Sequence, residues 1–342
     1  FDANDTLKSI RIIGPGRDGA RLEGSKDFAK TFMQKHDIPT ASYQTFAKGQ
    51  VAEAKGYLES IAPPYVLKAD GLAGGKGVLI LDSLSDAQRE MEEMLSNAKF
   101  GEASSRVVVE AFLDGRELSV FALTDGSSYV LLPNAKDYKR IGEGDSGLNT
   151  GGMGAISPVP FADAAFMEKV ENRIVKPTVE GLKADGIPYI GFLFFGLIEV
   201  NGEPFVIEYN VRMGDPETEV VMPRIDCDFL GLLDLASKGE LHKAKLESNP
   251  NYAATVVMVS KGYPGKYEKG KRINGLNEVK DATVFHAGSR IDANSIITSG
   301  GRVLAVTGMS KTMEDALKKA YNGVEKIDFE GATYRRDIGF DL

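Results

Sequence analysis

A glycine-rich segment between two lysines is the first part of this chain that could do chemistry. It reads KADGLAGGKGV over residues 68–78, with Lys68 at its start and Lys76 near its end. A P-loop would need a hydroxyl residue after the lysine, and a dinucleotide fingerprint would lead into a helix, whereas a β-like run follows here. Backbone N–H groups between two lysines suit a polyphosphate. An ordinary glycine-rich turn with solvated lysines is the alternative, and these residues alone leave both open.

A second set of polar residues lies in an extended stretch, VIEYNVRMGDPE, at 206–217. Alternate residues of a strand share a face, so Glu208, Asn210 and Arg212 are expected to point one way. Ile207, Tyr209 and Val211 would then point the other way, toward the core. A carboxylate beside an amide oxygen suits Mg²⁺, and a neighbouring arginine can neutralise a transferring phosphoryl group. A solvated strand face is the alternative, but charges within an apolar run need partners.

A polar segment at 133–154 is predicted to be a long functional loop. It contains KDYKR at 136–140 and DSGLNTGGMG at 145–154. Long loops in compact domains are usually either functional or disordered, and glycines let the backbone approach a ligand closely. This composition favours the functional interpretation.

A shorter connector, EAFL at 110–113, is followed by Glu117. The backbone of such a connector can read an adenine edge, and a carboxylate a few residues later can accept both ribose hydroxyls. Taken alone, the segment is equally consistent with ordinary structure.

Composition narrows the classes of protein to which the chain can belong. Its 342 residues carry a net charge of −8, whereas a nucleic-acid-binding surface usually shows a basic excess. The most apolar stretch, 190–198, is too short to span a bilayer. Cys227 is the single cysteine, which excludes a disulfide framework and a Cys-x-x-Cys metal site. We therefore expect neither a nucleic-acid nor a membrane partner, and a cytoplasmic location.

These motifs need a scaffold, and hydrophobic periodicity with turn signals predicts both helices and strands. Helices are expected at 25–36, 51–61, 84–98, 164–184, 229–238 and 313–326. Strands are expected at 9–13, 65–68, 78–81, 106–113, 117–123, 190–200 and 204–209. The last two strands are joined by Asn201-Gly202, a strong hairpin signal. Beyond Pro250 the texture changes to short strands and glycine-rich turns.

Taken together, the motifs resemble one family. Their order is GSK at 24–26, KADG at 68–71, GGKG at 74–77, EAFL at 110–113, NTGGMG at 149–154 and EYNVRMGDPE at 208–217. Over essentially its whole length the chain resembles the ATP-grasp superfamily and, within it, the glycinamide ribonucleotide synthetases (phosphoribosylamine–glycine ligases). The resemblance implies an α+β fold in which two α+β subdomains clasp ATP, followed by a small, mostly β C-terminal domain.

The resemblance also implies a division of the chain. Residues 1–15 would be a remnant of an N-terminal α/β domain, 16–240 the ATP-grasp domain with a flexible nucleotide-covering subdomain at about 38–113, and 241–342 the C-terminal domain. Full-length members open with a glycine-rich α/β domain that is mostly missing here. A separate N-terminal segment, a partner chain and a truncated gene are all open explanations, as are a monomer and a homodimer.

The implied reaction is the second step of purine synthesis. ATP phosphorylates the carboxylate of glycine, and the amine of 5-phosphoribosylamine attacks the acyl phosphate, giving glycinamide ribonucleotide, ADP and phosphate. Mg²⁺ or Mn²⁺ would accompany ATP. An ATP-grasp ligase for another acid and amine, and a non-catalytic or incomplete nucleotide-binding fragment, are the alternatives.

Site roles follow from the resemblance, residue by residue. Lys26, Lys68 and Lys76 would hold the ATP phosphates with Gly74, Gly75 and Gly77; Glu110, Phe112 and Leu113 would line the adenine pocket; and Glu117 would bind the ribose. Glu208 and Asn210 would ligate the metal, and Arg212 and Lys76 would be catalytic. The glycine and phosphoribosylamine sites would comprise Asp137, Lys139, Arg140, Asp145, Asn149, Thr150, Gly151, Gly152, Met153, Gly154, Asp215, Pro216 and Glu217.

The chain departs from the family pattern at a few positions. Ala111 stands where a second glutamate is usual, and Gly74 where alanine is usual. Many ATP-grasp enzymes place a further metal-binding carboxylate on the preceding strand, but here Gly196 occupies the nearest register and Glu199 is out of step. The number of metal ions therefore stays open.

Overall fold

The computed structural model describes residues 7, 9–73 and 77–342, which form helices and strands that are mixed along the chain. The helices are α1 Arg21–Gly24, α2 Lys26–Lys35, α3 Val51–Ser60, α4 Leu84–Leu95, α5 Ala164–Val170, α6 Lys176–Ala184, α7 Thr218–Val221, α8 Phe229–Ser237 and α9 Met313–Val324. The strands are β1 Tyr43–Ala47, β2 Tyr65–Ala69, β3 Val78–Leu81, β4 Arg106–Ala111, β5 Arg116–Thr124, β6 Tyr129–Asp137, β7 Arg140–Gly142, β8 Ser146–Asn149, β9 Gly154–Ser157, β10 Gly191–Val200, β11 Glu203–Asn210, β12 Tyr252–Ser260, β13 Ala282–His286, β14 Ser289–Asp292, β15 Ser295–Thr298, β16 Arg302–Ser310 and β17 Ala332–Thr333.

A small antiparallel sheet with the order β1-β4-β2-β3 forms a separate layer, which we call the lid sheet. Helices α3 and α4 cover one of its faces, and their apolar stripes bury Leu58, Met91 and Met94 against the strands. Strands β2 and β3 pair as the hairpin expected around the glycine-rich segment, with Lys68 opposite Val78. The lid sheet falls within the predicted subdomain at 38–113; its flexibility stays a prediction.

A nine-stranded sheet forms the rest of the scaffold, in the order β11-β10-β5-β6-β9-β12-β16-β13, with β17 beside β12. All of its pairings are antiparallel. Strand β9 pairs with β12, so the sheet continues across the boundary proposed near residue 240. Because the two halves share this sheet, side chains from the C-terminal half can reach the loops at the ends of β6 and β9.

Local signals in the sequence predicted several elements correctly. Ser25 caps α2, its side chain accepting a hydrogen bond from the backbone N–H of Phe28. The Asn201-Gly202 turn has positive φ at both positions, 51° and 81°, as a tight hairpin between right-twisted strands requires. The helix predicted at 164–184 forms as α5 and α6, joined by a π-helical turn at Glu171–Val175.

Two expectations about secondary structure are wrong. Residues 9–13 form no strand, because no neighbouring strand pairs with them; Ile10 and Ile12 stay exposed, and Arg11 instead contacts Asp234 of α8. The segment 133–154 is not one long loop. Strand β6 continues to Asp137, and β7 and β8 form a hairpin after it. The hairpin was not recognised because its strands are mostly exposed and polar, with Ile141 the residue of β7 that packs on an apolar cluster.

Within the described part of the chain, every helix is too short or too polar to cross a membrane.

Candidate active site

A buried ion cluster lies between the lid sheet and α2. Glu110 on β4 receives Lys68 of β2 and Lys30 of α2, each with its Nζ 3.0 Å from the same oxygen, Oε2. The other oxygen, Oε1, is buried and has no hydrogen-bond partner within the described part of the chain. Lys68 also donates a 3.4 Å hydrogen bond to the carbonyl of Ile207 on β11. The predicted adenine and phosphate residues thus meet at one place.

Burial and neighbouring charges shift the pKa values of two lysines at this place. Burial lowers the pKa of Lys30 to about 8, although Glu110 opposes the shift. Burial also lowers the pKa of Lys26, at the start of α2, against the attraction of Glu208. Lys26, Lys30 and Lys68 therefore lie close together at buried positions, where an anionic ligand can offset the cost of desolvating their ammonium groups.

Asp70 joins the lid sheet to the N-terminus of α2. Its Oδ1 accepts hydrogen bonds of 2.8 Å from the hydroxyl of Ser25 and from the backbone N–H of Asp27. Its Oδ2 pairs with Arg106 of β4 at 2.8 Å. Since a carboxylate at a helix N-terminus also complements the helix dipole, Asp70 fixes the position from which Lys26 projects.

The three polar residues at the end of β11 lie together as expected. Asn210 Nδ2 is 3.5 Å from Glu208 Oε1, and Arg212 Nη2 donates to Asn210 Oδ1 at 3.3 Å. The alternation is not simple, because the register shifts opposite Gly196 and Leu197 and leaves Ile207 unpaired in a bulge. Ile207 is therefore half-buried, not in the core, where the alternation had placed it.

Strand β10 supplies no carboxylate to this end of β11. Gly196 lies directly opposite Glu208, and a Cβ at Gly196 would come within 3.0 Å of the Glu208 side chain. Glu199 is committed elsewhere: it accepts from Arg116 at 2.8 Å and from the backbone N–H of Gly202. These contacts lower the pKa of Glu199, so it is a structural anion.

An acidic cluster lies on strands β5 and β6 and at the start of α7. Lys139 contacts Glu117 at 2.6 Å and Asp137 at 3.8 Å. Ser119 donates a 3.1 Å hydrogen bond to Glu217. Lys139 lowers the pKa of Glu117, whereas burial raises the pKa of Asp137 and raises that of Glu217 to about 7. Glu117, the proposed ribose residue, and Asp137, a proposed substrate residue, therefore both contact the ammonium group of Lys139.

The stability of the fold is expected to depend on the ionisation of Glu217. Because burial raises its pKa from 4.5 to about 7, its favourable contribution is complete below pH 4.5 and is lost as the pH rises through 7. Glu217→Gln keeps the shape but is never charged. It should gain thermal stability relative to the original protein as the pH rises from 4.5 to 8, measured by thermal unfolding. The same difference in melting temperature at every pH would contradict this.

The NTGGMG segment at 149–154 is a tight turn held by the hydroxyl of Thr150. Thr150 Oγ1 donates to the carbonyl of Lys139 and accepts from the N–H of Gly152. Gly152 has φ 114°, and a Cβ there would overlap the ring of Pro216, so only glycine fits. Met153 is 1% exposed and packs against Val257, so its side chain belongs to the core and not to a substrate site.

Arg302 of β16 joins the two proposed substrate loops. Its Nη1 donates to the carbonyl of Gly151 at 2.6 Å and to that of Asp215 at 2.9 Å, and lies 3.0 Å from the carboxylate of Asp215. Tyr263, also from the C-terminal half, accepts from the N–H of Gly151. The C-terminal half thus holds the segments at 149–154 and 212–217 in register.

Arg335 holds the β7–β8 hairpin in the same way. It is 1% exposed, donates to Asp145 at 2.6 Å and to the carbonyl of Arg140 at 3.1 Å, and forms a two-point contact with Asp337. Asp337 in turn accepts from the N–H of Gly144. Asp145 is therefore engaged by Arg335 within the protein, and Arg140 contributes its carbonyl to the same contact.

Replacing Arg302 should loosen the substrate loops without disturbing the nucleotide end. We expect Arg302→Ala to raise KM for glycine and for 5-phosphoribosylamine, the substrates that the resemblance implies, by roughly 10-fold. This is the size expected for losing hydrogen bonds from a charged donor. Affinity for ATP should be unchanged. Steady-state kinetics and direct ATP titration measure the two effects, with Arg290→Ala on the exposed β14 as the control. An equal loss of ATP affinity would show a general structural role instead.

The structure brings most of the predicted site residues to one region around the end of β11. Phe112 is exposed and Leu113 half-buried at the connector after β4. Gly74, Gly75 and Lys76 lie outside the described residues. Sequence reasoning gave no role to five residues that hold the site: Lys30, Asp70, Ser119, Arg302 and Arg335. Asp70 stood within the KADG motif without a role of its own, and the sequence pattern gave no signal for Lys30, Ser119 or Arg335.

A lid sheet beside a larger antiparallel sheet, with Lys68 of the lid sheet reaching the C-terminal part of β11, is the ATP-grasp arrangement. Its solved neighbours include the biotin carboxylase domain of the Hydrogenobacter thermophilus 2-oxoglutarate carboxylase, determined with MgADP. That chain has a TM-score of 0.71 and 19% identity, over 96% of this chain and 71% of its own. The fold and site therefore define a protein of the ATP-grasp class.

Closer relatives identify the family. The phosphoribosylglycinamide synthetase models for the ATP-grasp (A) domain and the C domain match residues 24–218 and 253–341. Phosphoribosylamine–glycine ligases from Chlorobaculum tepidum and Ralstonia nicotianae are 47% and 46% identical, over 96% and 97% of this chain and 78% and 79% of theirs. The Thermotoga maritima ligase structure has a TM-score of 0.89 and 40% identity, over 97% and 83%. The chain belongs to the phosphoribosylglycinamide synthetase family.

Proposed function

We propose that this chain joins glycine to 5-phosphoribosylamine with ATP, through a glycyl phosphate, giving glycinamide ribonucleotide, ADP and phosphate. The observation that carries the proposal is the position of Glu208, Asn210 and Arg212. Lys68 of the lid sheet donates to the carbonyl of Ile207, the residue before Glu208. Arg302 donates to the carbonyl of Asp215, three residues beyond Arg212. Family membership supports the same reaction. A cytoplasmic location, expected from the family, stays a prediction.

ATP would bind between the lid sheet and β11. Lys26 and Lys68 would supply positive charge for its phosphates, and Lys76 belongs in the sequence to the glycine-rich segment between β2 and β3. Glu110 would offer the adenine a buried oxygen that lacks a partner among the described residues, and the backbone of Phe112 and Leu113 lies next along the chain. The terminal phosphate would then lie toward the end of β11.

The residues at the end of β11 fit a divalent cation that is held mainly by the nucleotide. The described residues include no group of three or more histidine, cysteine, aspartate or glutamate side chains that could form a metal cage. Glu208 and Asn210 offer one carboxylate and one amide oxygen, a hard-oxygen set that suits Mg²⁺ or Mn²⁺ retaining water and phosphate ligands. When bound, the cation would neutralise charge on the ATP phosphates.

The reaction has two displacement steps, and neither step needs a protein nucleophile. A carboxylate oxygen of glycine attacks the terminal phosphorus, and the bond to ADP breaks. The amine of phosphoribosylamine then attacks the acyl carbon, the bond to phosphate breaks, and the nitrogen loses one proton. Arg212 would neutralise the phosphoryl group during the first step. The protein therefore acts mostly by positioning and by charge.

The acidic cluster supports the use of amine-bearing substrates. Asp137 and Glu217 are carboxyl groups of low exposure beside Lys139, and glycine and phosphoribosylamine both carry an amino group. We infer that these carboxyl groups, with the Gly151–Gly152 backbone and Asp215, form the substrate end of the site.

Phosphate release from Mg-ATP tests the proposal. The chain is assayed with glycine and phosphoribosylamine each present or omitted, the labile amine being generated in the assay. Release that needs both substrates, together with glycinamide ribonucleotide in the products, is the expected result. ATP binding without substrate-dependent release would mean that the proposed ligase activity is wrong for this chain.

A further inference from the structure

Lys30 is a lysine with no contact to solvent. It lies on the inner face of α2, is 1% exposed, and directs its ammonium group at three acceptors. These are Thr40 Oγ1 at 2.7 Å, the carbonyl of Ala41 at 3.4 Å and Glu110 Oε2 at 3.0 Å. An ammonium group has three donors, so all of its hydrogen-bonding capacity is used.

The contacts of Lys30 connect three parts of the fold. Thr40 belongs to the segment that leads into the lid sheet, and its hydroxyl donates to the carbonyl of Val206 on β11 at 2.7 Å. Glu110 belongs to the lid sheet itself. Lys30 and Thr40 therefore connect the Glu110 carboxylate to α2 and to β11, the strand that carries Glu208.

Two lysines on one oxygen leave the other oxygen of Glu110 for a ligand. Lys30 and Lys68 both contact Oε2, and Oε1 is buried with no partner in the described residues. A buried acceptor without a donor is unfavourable, so Oε1 favours any ligand that brings an N–H group to it. With both ammonium groups on Oε2, the carboxylate is held in one orientation, and Oε1 faces any ligand as an acceptor.

We propose that Lys30 is a positioning residue that sets the preference for adenine over guanine by holding the Glu110 carboxylate in one orientation, with Oε1 free as an acceptor. This rests on the proposed function, in which Glu110 lines the adenine pocket. The exocyclic amino group of adenine is a donor to a carboxylate oxygen. Guanine carries a carbonyl oxygen at that ring position, which brings Oε1 a second acceptor and no donor. Without Lys30, the carboxylate of Glu110 can rotate, and the site then discriminates less between the two bases.

Direct binding measurements test this separately from catalysis. Mg-ATP and Mg-GTP are titrated into the original protein, Lys30→Met, Glu110→Gln and the double variant. Lys35→Met is the matched control, because Lys35 lies on the same helix, is 60% exposed and pairs with Asp185. We expect Lys30→Met to lose ATP affinity by about 10- to 100-fold, the range for a charged hydrogen bond. The ratio of ATP to GTP affinity should fall by at least about 10-fold.

The double variant distinguishes positioning from a general loss of structure. If Lys30 acts through Glu110, the two single losses should not add in the double variant. An unchanged ratio of ATP to GTP affinity in Lys30→Met, or losses that add, would overturn the inference. Should Lys30→Met not fold, Lys30→Gln, which keeps an N–H donor but no charge, carries the same test. If the original protein does not bind Mg-ATP, the proposed function itself is wrong, and the inference about Lys30 is wrong with it.

Discussion

Glu208→Ala is expected to lower kcat by on the order of 10²–10³-fold while leaving the fold intact. Glu208 is exposed at the end of β11, and among the described residues its side chain makes one hydrogen bond, the 3.5 Å contact with Asn210. Removing it therefore costs the fold little, but it takes away the only carboxylate of the proposed metal site. Turnover measured against Mg²⁺ concentration should show that the remaining activity needs far more metal.

Glu203→Gln is the control for this prediction, since Glu203 begins the same strand but pairs with Lys169 and Arg173 at the surface. It should leave the metal dependence unchanged. A Glu208→Ala protein with nearly full activity and an unaltered Mg²⁺ requirement would show that the metal assignment is wrong. Circular dichroism and thermal unfolding confirm that each variant is folded.

Arg212→Ala is expected to lower kcat by about 10³-fold with little change in ATP affinity. Arg212 is largely exposed and is held by weak contacts: the carbonyl of Met213 at 3.0 Å, Asn210 Oδ1 at 3.3 Å and Glu23 at 3.4 Å. A guanidinium so loosely paired is available to a phosphoryl group whose charge develops in the transition state. Steady-state kinetics with direct ATP titration separates the two effects.

Arg212→Lys refines the same experiment. A lysine keeps the charge but loses the two-point geometry of the guanidinium, so it should recover only part of the lost rate. Arg173→Ala, which removes a surface arginine far along the chain, is the control and should keep full activity. Equal losses of kcat and ATP affinity in Arg212→Ala would mean that the arginine serves ground-state binding of the nucleotide, which contradicts the assigned role.

Local chemistry in the sequence was sufficient for much of the scaffold. The Ser25 cap, the Asn201-Gly202 turn and the hairpin around the glycine-rich segment depend on residues close together in the chain, so their signals are complete in a short window. The motifs at 68–77, 149–154 and 208–217 likewise indicated the family, which the comparisons confirmed. The polar hairpin β7–β8 was missed because hydrophobic alternation, the usual strand signal, is absent from it.

The electrostatics of the site depended on tertiary structure alone. Lys30 and Arg335 resemble ordinary surface residues in the sequence, yet each is 1% exposed and meets its anion only after distant segments pack. Lys30 is paired across 80 residues with Glu110, and Arg335 across 190 residues with Asp145. The bulge at Ile207 was equally hidden, because register is a property of two strands and not of one. The sequence by itself therefore determined which groups could do the chemistry, and packing decided which charges are paired, buried and left for a ligand.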